Sequence, residues 1–365
     1  MKRIALFLSS IPSFAAMAQE ITVTTVVPLD GLVWETSGLI WLEDRLITHN
    51  DSGGGHYLYE IDTADGEVMR TVIVANAATS DWEDICYDGD YIYIGDFGNN
   101  AGTRTDLRIF RVAITDYLTT PNDTVYCDTI AFNYADQVDF EPGVYTTNYD
   151  AEAIIAHNDS LYLFSKNWGN QETNVYSIPK EPGTYTVSIV DNFDTNGLVC
   201  GAAYDPEKNE ILLCGYNFIT PFVFFIKGFS GNEFSEGDLL RLSPAFEGSF
   251  QIEGSTALGG HSFFVSSEKV DTGNSFLHRI DIDNFASIPM LQDHLIKIYP
   301  SRVKKDLVVF GDSEYQIRVF STTGLLIAND FGNRIDLSAI ARDVYIVHVS
   351  NKEGVVLATK KILKY

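Results

Sequence analysis

The sequence predicts an all-β protein whose main part is a β-propeller. Helical periodicity is almost absent along the chain, and short alternating strands broken by Gly, Asn and Asp recur instead. These strands fall into repeats of about 50 residues, and a repeat of this kind buries its faces only by packing against its neighbours. A chain of 365 residues that is 45% hydrophobic is long enough for a large core.

The overall charge narrows the range of partners. The chain carries 50 acidic and 25 basic residues, a formal net charge of −25. A surface of this sign repels phosphate backbones and anionic lipids, so nucleic acid is not an expected partner. The charge is uneven: the segment from His294 to Tyr365 holds 11 basic and 7 acidic residues, which predicts two modules of different character.

The first residues have the pattern of an export signal. Lys2 and Arg3 precede the apolar run at 4–8, and Ala16-Met17-Ala18 is a small-x-small cleavage pattern. We therefore expect a signal peptide at 1–18, a propeller at 19–290 and a second domain at 294–365. The apolar run is too short for a membrane anchor, the alternative interpretation, and no other segment could cross a membrane. Export places the mature protein outside the cell or on the outer cell surface.

Five repeats share one pattern, in which a short motif opens the first strand and two further strands follow. The motifs are at 37–42, 83–87, 152–156, 201–204 and 253–258, the second strands at 45–48, 91–95, 160–164, 210–214 and 262–265, and the third strands at 57–61, 107–112, 174–178, 222–226 and 276–280. This repetition predicts five blades.

Fourth strands complete the blades. Four repeats have one, at 68–74, 124–133, 184–190 and 239–242. The fifth has none, and the unassigned strand at 21–27 can supply it, so that the N-terminal strand closes the ring and removes two exposed edges. The longest gap between motifs leaves a second interpretation open, a six-bladed propeller with a degenerate blade around 119–145.

Long polar loops at one face predict the ligand site. In each repeat the turn between strands one and two is short, whereas the loop after strand two is long and polar, as at 49–56 and 96–105. We expect a polar ligand there, held by aromatic and hydrogen-bonding side chains. The candidates are His49, Asn50, Asp51, Trp82, Asp84, Asp96, Asn100, Lys166, Asn167, Trp168, Asn217, Glu268 and Lys269. The alternative is that the Asn and Asp residues are only turn formers.

The motif residues that open the innermost strands predict a metal site on the propeller axis. They are Ser37, Glu83, Glu152 and Glu253, with Gly201 at the equivalent position of the fourth repeat. Three carboxylates at one channel mouth repel each other unless a cation lies between them, and oxygen ligands favour Ca²⁺. The alternative is that each Glu merely accepts backbone hydrogen bonds at the start of its strand.

This pattern of Ser37 and three motif glutamates resembles the soluble calcium-activated nucleotidases (apyrases), which are five-bladed propellers with an axial calcium ion. The resemblance covers the inner strands and implies a calcium-dependent phosphoester hydrolase as an alternative to a binding protein. The chain departs from the family at Cys200-Gly201, where the family has a serine, and its phosphate-binding arginines are represented only by Lys166, Lys269 and Arg104. Paired carboxylates also leave a glycoside hydrolase open.

Four cysteines raise the question of disulfides in an exported chain. Cys200 and Cys214 flank a hairpin turn at 205–209 and could face each other across two strands. Buried free thiols are the alternative for all four residues.

The C-terminal segment reads as a small β-sandwich of short alternating strands at 296–300, 307–309, 315–320, 344–349 and 359–363. The order of these pieces, ending in Thr-Lys-Lys-Ile, resembles the type A C-terminal sorting domain of the Bacteroidetes type IX secretion system. The resemblance implies recognition by the outer-membrane translocon, the expected partner, and later removal. The chain departs from that family at Ser301-Arg302 and at Asp343.

Overall fold

A computed structural model describes residues 20–51, 53–217, 220–247, 251–269, 273–283, 297–299, 302–310, 314–321, 325–350, 352 and 356–365. The chain divides into two compact units, Met1–Ala286 and Ser287–Tyr365. The expected signal peptide at 1–18 and the boundary region 284–296 lie outside the described residues. Within the described part, no helix has the length and apolar character needed to cross a membrane.

Unit 1 consists almost entirely of strands. In chain order they are β1 (Glu20–Pro28), β2 (Thr36–Leu42), β3 (Arg45–Asn50), β4 (Tyr57–Ile61), β5 (Val68–Val74), β6 (Trp82–Tyr87), β7 (Tyr91–Asp96), β8 (Arg108–Ala113), β9 (Thr124–Val125), β10 (Asp128–Tyr134), β11 (Ala151–His157), β12 (Ser160–Ser165), β13 (Glu172–Pro179), β14 (Gly183–Val187), β15 (Ile189–Asp194), β16 (Leu198–Asp205), β17 (Glu210–Asn217), β18 (Thr220–Lys227), β19 (Asp238–Leu242), β20 (Ile252–Gly259), β21 (Ser262–Ser267) and β22 (Phe276–Asp283). The helix α1 (Ile114–Thr119) and two 3₁₀ turns, Gly31–Val33 and Phe234–Glu236, complete the unit's described helical structure.

These strands form five sheets, which we number I to V along the chain. Sheet I has the order β2-β3-β4-β5-β9, sheet II β6-β7-β8-β10-β14, sheet III β11-β12-β13-β15, sheet IV β16-β17-β18-β19 and sheet V β20-β21-β22-β1. The innermost strands contact one another in a closed cycle, β2 with β6, β6 with β11, β11 with β16, β16 with β20, and β20 with β2. The all-β class and the propeller architecture predicted from the sequence are thereby confirmed.

The N-terminal strand closes the ring as predicted. β1 pairs antiparallel with β22, from Glu20 opposite Asp283 to Pro28 opposite Phe276. The last sheet therefore takes its outer strand from the beginning of the chain. This pairing covers the edge of β22, and β1 becomes the outer strand of the sheet.

Neighbouring sheets pack through apolar side chains that alternate along each strand. On β3, Leu46 faces sheet V and Ile47 faces sheet II, and on β17, Leu212 and Leu213 face sheets V and III. A blade is covered on both faces, so its central strands are apolar at successive positions. This explains why the inner repeats of the sequence are continuous hydrophobic runs.

Two predicted outer strands are wrong in detail. The stretch 124–133 is interrupted, and its first part, β9, pairs in parallel with β5 of sheet I. The stretch 184–190 is also split: β14 pairs in parallel with β10 of sheet II, and β15 completes sheet III. Segments of one repeat therefore extend the sheet of the preceding repeat. The described residues at 119–145 join sheets I and II and form no sheet of their own.

Unit 2 contains two sheets that share one core. Its described strands are β23 (Lys297–Tyr299), β24 (Arg302–Val303), β25 (Asp306–Phe310), β26 (Tyr315–Ser321), β27 (Leu326–Gly332), β28 (Arg334–Asp336), β29 (Val344–Ser350) and β30 (Val356–Lys364). One sheet has the order β23-β25-β28 and the other β24-β30-β29-β26-β27. Leu307 and Val309 of the first pack with Ile317 and Val347 of the second, which is a β-sandwich.

The four cysteines are buried free thiols, so the disulfide considered between Cys200 and Cys214 is absent. The register gives the reason. Gly201, and not Cys200, lies opposite Cys214, because the ladder between β16 and β17 is irregular between Val199 and Gly201. Cys200 therefore lies out of line with Cys214.

The buried His278 on β22 predicts a pH dependence of stability. Burial lowers the pKa of His278 from 6.5 to about 4. The unfolded chain therefore binds more protons between these values, and the free energy of unfolding falls by up to about 3 kcal/mol as the pH is lowered from 6.5 to 4. Urea titrations of the wild type and of His278→Gln across this range measure the effect. The variant should lose less stability on acidification, and equal losses in both proteins would contradict the assignment.

Candidate functional site

A β-bulge occurs at the same place in all five innermost strands. Each ladder between the first and second strand of a sheet shifts register shortly after its start. The residues that enter the bulge are Ser37, Glu83, Glu152, Cys200 and Glu253. A bulge turns a side chain away from the regular alternation, as is common next to functional sites. The fourth equivalent residue is thus Cys200, which corrects the expected Gly201.

A cavity of about 300 Å³ lies above this ring of bulges and receives side chains from every sheet. Its lining residues are Asp51, Glu83, Asn100, Tyr145, Glu152, Lys166, Trp168, Tyr216, Gln251, Glu253 and Glu268. Eight of these were predicted from the sequence as ligand or metal residues. Tyr145 was not, because it lies in the stretch considered for a sixth blade, and Gln251 carries no sequence motif. Tyr216 lies at the end of the second strand of its repeat, the position that Lys166 and Glu268 occupy in theirs.

One side of the cavity is organised around Lys166, which follows β12. Its Nζ lies 3.0 Å from Glu152 Oε2, and both side chains are buried. The ammonium also lies 5.1 and 5.4 Å from the ring centroids of Trp168 and Tyr216, within the range of cation–π interactions. Burial alone would lower the pKa of Lys166, but its neighbours Cys200, Glu152 and Glu253 raise it well above the ordinary value. The axis therefore has a built-in cation.

This arrangement does not fit calcium at the four residues predicted for it. Glu152, Cys200 and Glu253 each have one potential ligand atom within 4.8 Å of the others. This group contains a thiol, and the charge of Lys166 acts on it. The Ser37 hydroxyl donates to the backbone oxygen of Glu83 at 2.5 Å, a contact between sheets I and II. Glu83 belongs to a different cluster. The predicted set is therefore divided, and its members do not form one oxygen cage.

The second cluster consists of Asp51, Asp81 and Glu83, which we call the acid wall. One carboxylate oxygen from each lies within 4.8 Å of the others. Burial, followed by the charge of Asp51, raises the pKa of Asp81 to about 7, and burial and neighbouring acids raise that of Glu83 well above its usual range. Glu83 is 2% exposed, and no described side chain or backbone group donates a hydrogen bond to its carboxylate. The acid wall is thus a cluster of mutually repelling carboxylates.

Aromatic and carboxylate groups form the mouth of the cavity. Tyr145 is 61% exposed and packs on Trp168 with 4.6 Å between ring centroids, and the Trp168 Nε1 donates to Asp150 Oδ2 at 2.7 Å. Gln251 Nε2 donates to Glu268 Oε2 at 3.1 Å. Burial and the charges of Glu253 and Asp51 raise the pKa of Glu268 to about 9. The mouth therefore offers ring faces beside hydrogen-bonding groups.

Three residues predicted to bind ligand are structural parts of the inner strands. Trp82 is buried between sheets I and II, where it contacts the buried His49 with 5.6 Å between ring centroids. Asp84 is fully buried below the cavity and accepts backbone hydrogen bonds from Ile85, Ile154 and Ala202 at 2.8, 2.9 and 3.2 Å. One carboxyl thus connects the inner strands of sheets II, III and IV.

Five other predicted ligand residues do not line the cavity. Asp96 is buried and paired with two arginines, at 3.1 and 2.8 Å. The Asn50 side chain bonds to the backbone of the loop before β2, and that of Asn217 to the backbone of the loop before β16. The Asn167 side chain accepts from the Ser165 hydroxyl, and Lys269 is exposed. Asn50 and Asn217 end their strands and connect them to loops that are distant in sequence, which is a structural role other than the turn formation considered from the sequence.

Comparisons with known proteins support no family assignment. No protein-family model and no curated protein matches the chain. Solved structures that resemble it include the PQQ-bound aldose sugar dehydrogenase of Streptomyces coelicolor, at 13% identity and TM-score 0.45, covering 72% of this chain and 99% of that one. An oxidoreductase of Thermus thermophilus, described as a glucose dehydrogenase, has 11% identity and TM-score 0.42, with 72% and 100% covered. The WD40 propeller domain of Doa1 has 12% identity and TM-score 0.32, with 93% and 96% covered.

The triple contact of Asp84 predicts a large effect of its removal on stability. Asp84→Ala leaves three buried N–H groups without an acceptor, which we expect to lower the free energy of unfolding by about 3 kcal/mol or more. Asp84→Asn keeps an acceptor oxygen and should cost less. The measurement is chemical denaturation, with Asp159→Ala at an exposed turn as the control. A loss for Asp84→Ala no larger than that for Asp159→Ala would show that the contact is dispensable.

Proposed function

We propose that the protein is an exported propeller that binds a polar ligand in its axial cavity, together with a divalent cation, calcium in the first place. The cavity carries this proposal: all five sheets contribute side chains to it, and the lining combines acids, amides and ring faces. Convergent polar groups on a rigid scaffold fix the orientation of a small ligand and give the site its specificity.

The charge of the cavity indicates which ligands suit it. Five of its lining residues are acids and Lys166, the one basic residue among them, is already paired with Glu152. An acidic cavity favours neutral or positively charged ligands over phosphates. Trp168 and Tyr145 suit a sugar ring or an organic cation, because both stack on aromatic faces. The geometry therefore favours a binding protein for sugars or amines over a nucleotidase.

The proposed export route rests on the two ends of the sequence. The leader at 1–18 would direct the chain across the inner membrane, and the sandwich of unit 2, by its resemblance to type A sorting domains, would address it to the type IX translocon. The mature propeller would then be released or held at the outer cell surface. In the native host, a chain that lacks 294–365 should accumulate in the periplasm, and its normal appearance at the surface would exclude this route.

Replacement of Trp168 tests the ligand site. Isothermal titration calorimetry of the mature protein, with calcium present, should detect binding of a member of a panel of neutral oligosaccharides, polyamines and amino acids. Trp168→Ala should weaken that binding about tenfold or more, because it removes a ring face from the mouth. Tyr126→Ala, at an exposed tyrosine that does not line the cavity, is the matched control.

The same protein should release no phosphate from ADP. Calcium-dependent phosphate release would overturn the binding function in favour of the hydrolase. Absence of binding for the whole panel, or equal binding by Trp168→Ala and the wild type, would also contradict the proposal.

A further inference from the structure

We infer that the divalent cation binds to the acid wall of Asp51, Asp81 and Glu83, on the side of the cavity away from Lys166. The inference rests on the proposed function, in which a cation forms part of the cavity. It differs from the sequence prediction, which placed the ion among Ser37, Glu83, Glu152 and Glu253.

The acid wall brings together ligands from separate parts of the chain. Asp51 directly follows β3, Asp81 directly precedes β6, and Glu83 enters the bulge of β6. Their oxygens lie within 4.8 Å of one another, so that one ion can contact all three. Carboxylate oxygens are hard ligands, and Ca²⁺ tolerates an irregular set that water completes to six or more. The chemistry of the cluster thus fits calcium better than a softer metal.

The position of Glu83 also supports a cation in the acid wall. Its side chain lines the cavity although the residue is 2% exposed, and no described group donates a hydrogen bond to it. A buried carboxylate normally has a charged or hydrogen-bonding partner, because removal from water costs several kcal/mol of free energy. The charges that act on Glu83 are those of other acids. A cation in the acid wall supplies the missing partner.

The backbone at Gly98 leaves space for this cluster. A Cβ atom at residue 98 would lie 1.8 Å from Glu83 Oε1 and 2.5 Å from Asp81 Oδ2, distances at which atoms overlap. With glycine at position 98, the loop after β7 can approach both carboxylates in the positions that they occupy here. A side chain there would displace two of the three proposed ligands without removing either.

Lys166 explains why a divalent ion would bind on the other side of the cavity, away from its own ammonium group. The ammonium pairs with Glu152 and shares its surroundings with Cys200 and Glu253. A divalent ion among these groups would have to lie beside a positive charge and accept a thiol as ligand. The acid wall contains no thiol, and the cation that acts on it, Arg104 beside Asp81, is itself paired with Asp96 and Asp106. The cavity thus has two positions for positive charge, one filled by the protein and one open to a metal.

Calcium titration of substituted proteins tests the inference. After removal of bound metal by a chelator, the mature wild-type protein should bind CaCl₂ in isothermal titration calorimetry. Asp81→Asn and Glu83→Gln should each weaken calcium affinity about tenfold or more, because each replaces a charged ligand oxygen by a neutral one. Glu253→Gln, on the Lys166 side, should change affinity by less than about threefold. Asp159→Asn, at an exposed turn, is the control for the loss of a negative charge.

Gly98→Ala provides a variant that retains every carboxylate. It should also weaken calcium binding about tenfold or more. Thermal unfolding without calcium identifies any variant that fails to fold, and Asp81→Asn, which is nearly the same size as the wild type, keeps the test valid if Gly98→Ala does not fold.

The possible results separate the inference from the proposed function. Wild-type affinity in Asp81→Asn and Glu83→Gln, or a loss in Glu253→Gln as large as in these two, would overturn the acid wall as the site. A wild-type protein that binds no calcium would overturn both the site and the cation of the proposed function. Loss of calcium in the acid-wall variants supports the site even where no member of the ligand panel binds.

Discussion

The structure depends on how buried carboxylates at the propeller axis are neutralised. The innermost strands of five sheets converge there, and a bulge in each strand turns one side chain toward the centre. Three of the five side chains are glutamates that are nearly inaccessible to water. Charges so close together in a medium of low dielectric constant repel one another strongly. The fold tolerates them because different partners serve different acids.

Buried carboxylates near the axis are compensated in three different ways. Glu152 has an ion pair with Lys166, at 3.0 Å. Asp84 has no ion pair among the described residues but accepts three backbone hydrogen bonds from three strands, which joins neighbouring sheets where their edges meet. Glu83 has neither kind of partner within the part of the chain that the structure describes. The first two solutions are internal to the fold, whereas the third needs a proton or a bound ion, and this difference is the basis for proposing Glu83 as a metal ligand.

The fold could be predicted from the sequence because successive side chains of a blade strand face opposite neighbouring sheets. Residues such as Leu46 and Ile47 face opposite neighbouring sheets, so a blade strand is apolar at successive positions and its repeats are recognisable. Details set by register were harder to predict. Cys200 instead of Gly201 occupies the bulge because of a shift of one residue, and no local pattern encodes that shift. The parallel strands β9 and β14 also depend on pairing between distant segments.

The candidate site was predicted as a set of residues but not as an arrangement. Long polar loops indicated the face on which the cavity lies and many of its lining residues, since loops on a rigid scaffold carry binding groups. Residue type alone could not separate Asp51 from Asp96, although both are aspartates at the ends of second strands. Asp96 is satisfied by Arg104 and Arg108, whose approach depends on the course of the loop between β7 and β8. The surroundings of an acid, and not its identity, decide whether it faces the cavity or an arginine.

A lysine on the axis is compatible with the proposed metal site in the same cavity. Lys166 neutralises one side and is held there by Glu152 and by the faces of Trp168 and Tyr216. A fixed ammonium cannot also compensate acids on the opposite side, because its attraction falls with distance and its hydrogen bonds are directional. Asp51, Asp81 and Glu83 therefore remain as a group of acids that Lys166 does not pair with, beside a glycine that leaves room for their oxygens. In the proposed site, Lys166 would direct an external cation to the acid wall, and the space beside Trp168 and Tyr145 would be left for the ligand.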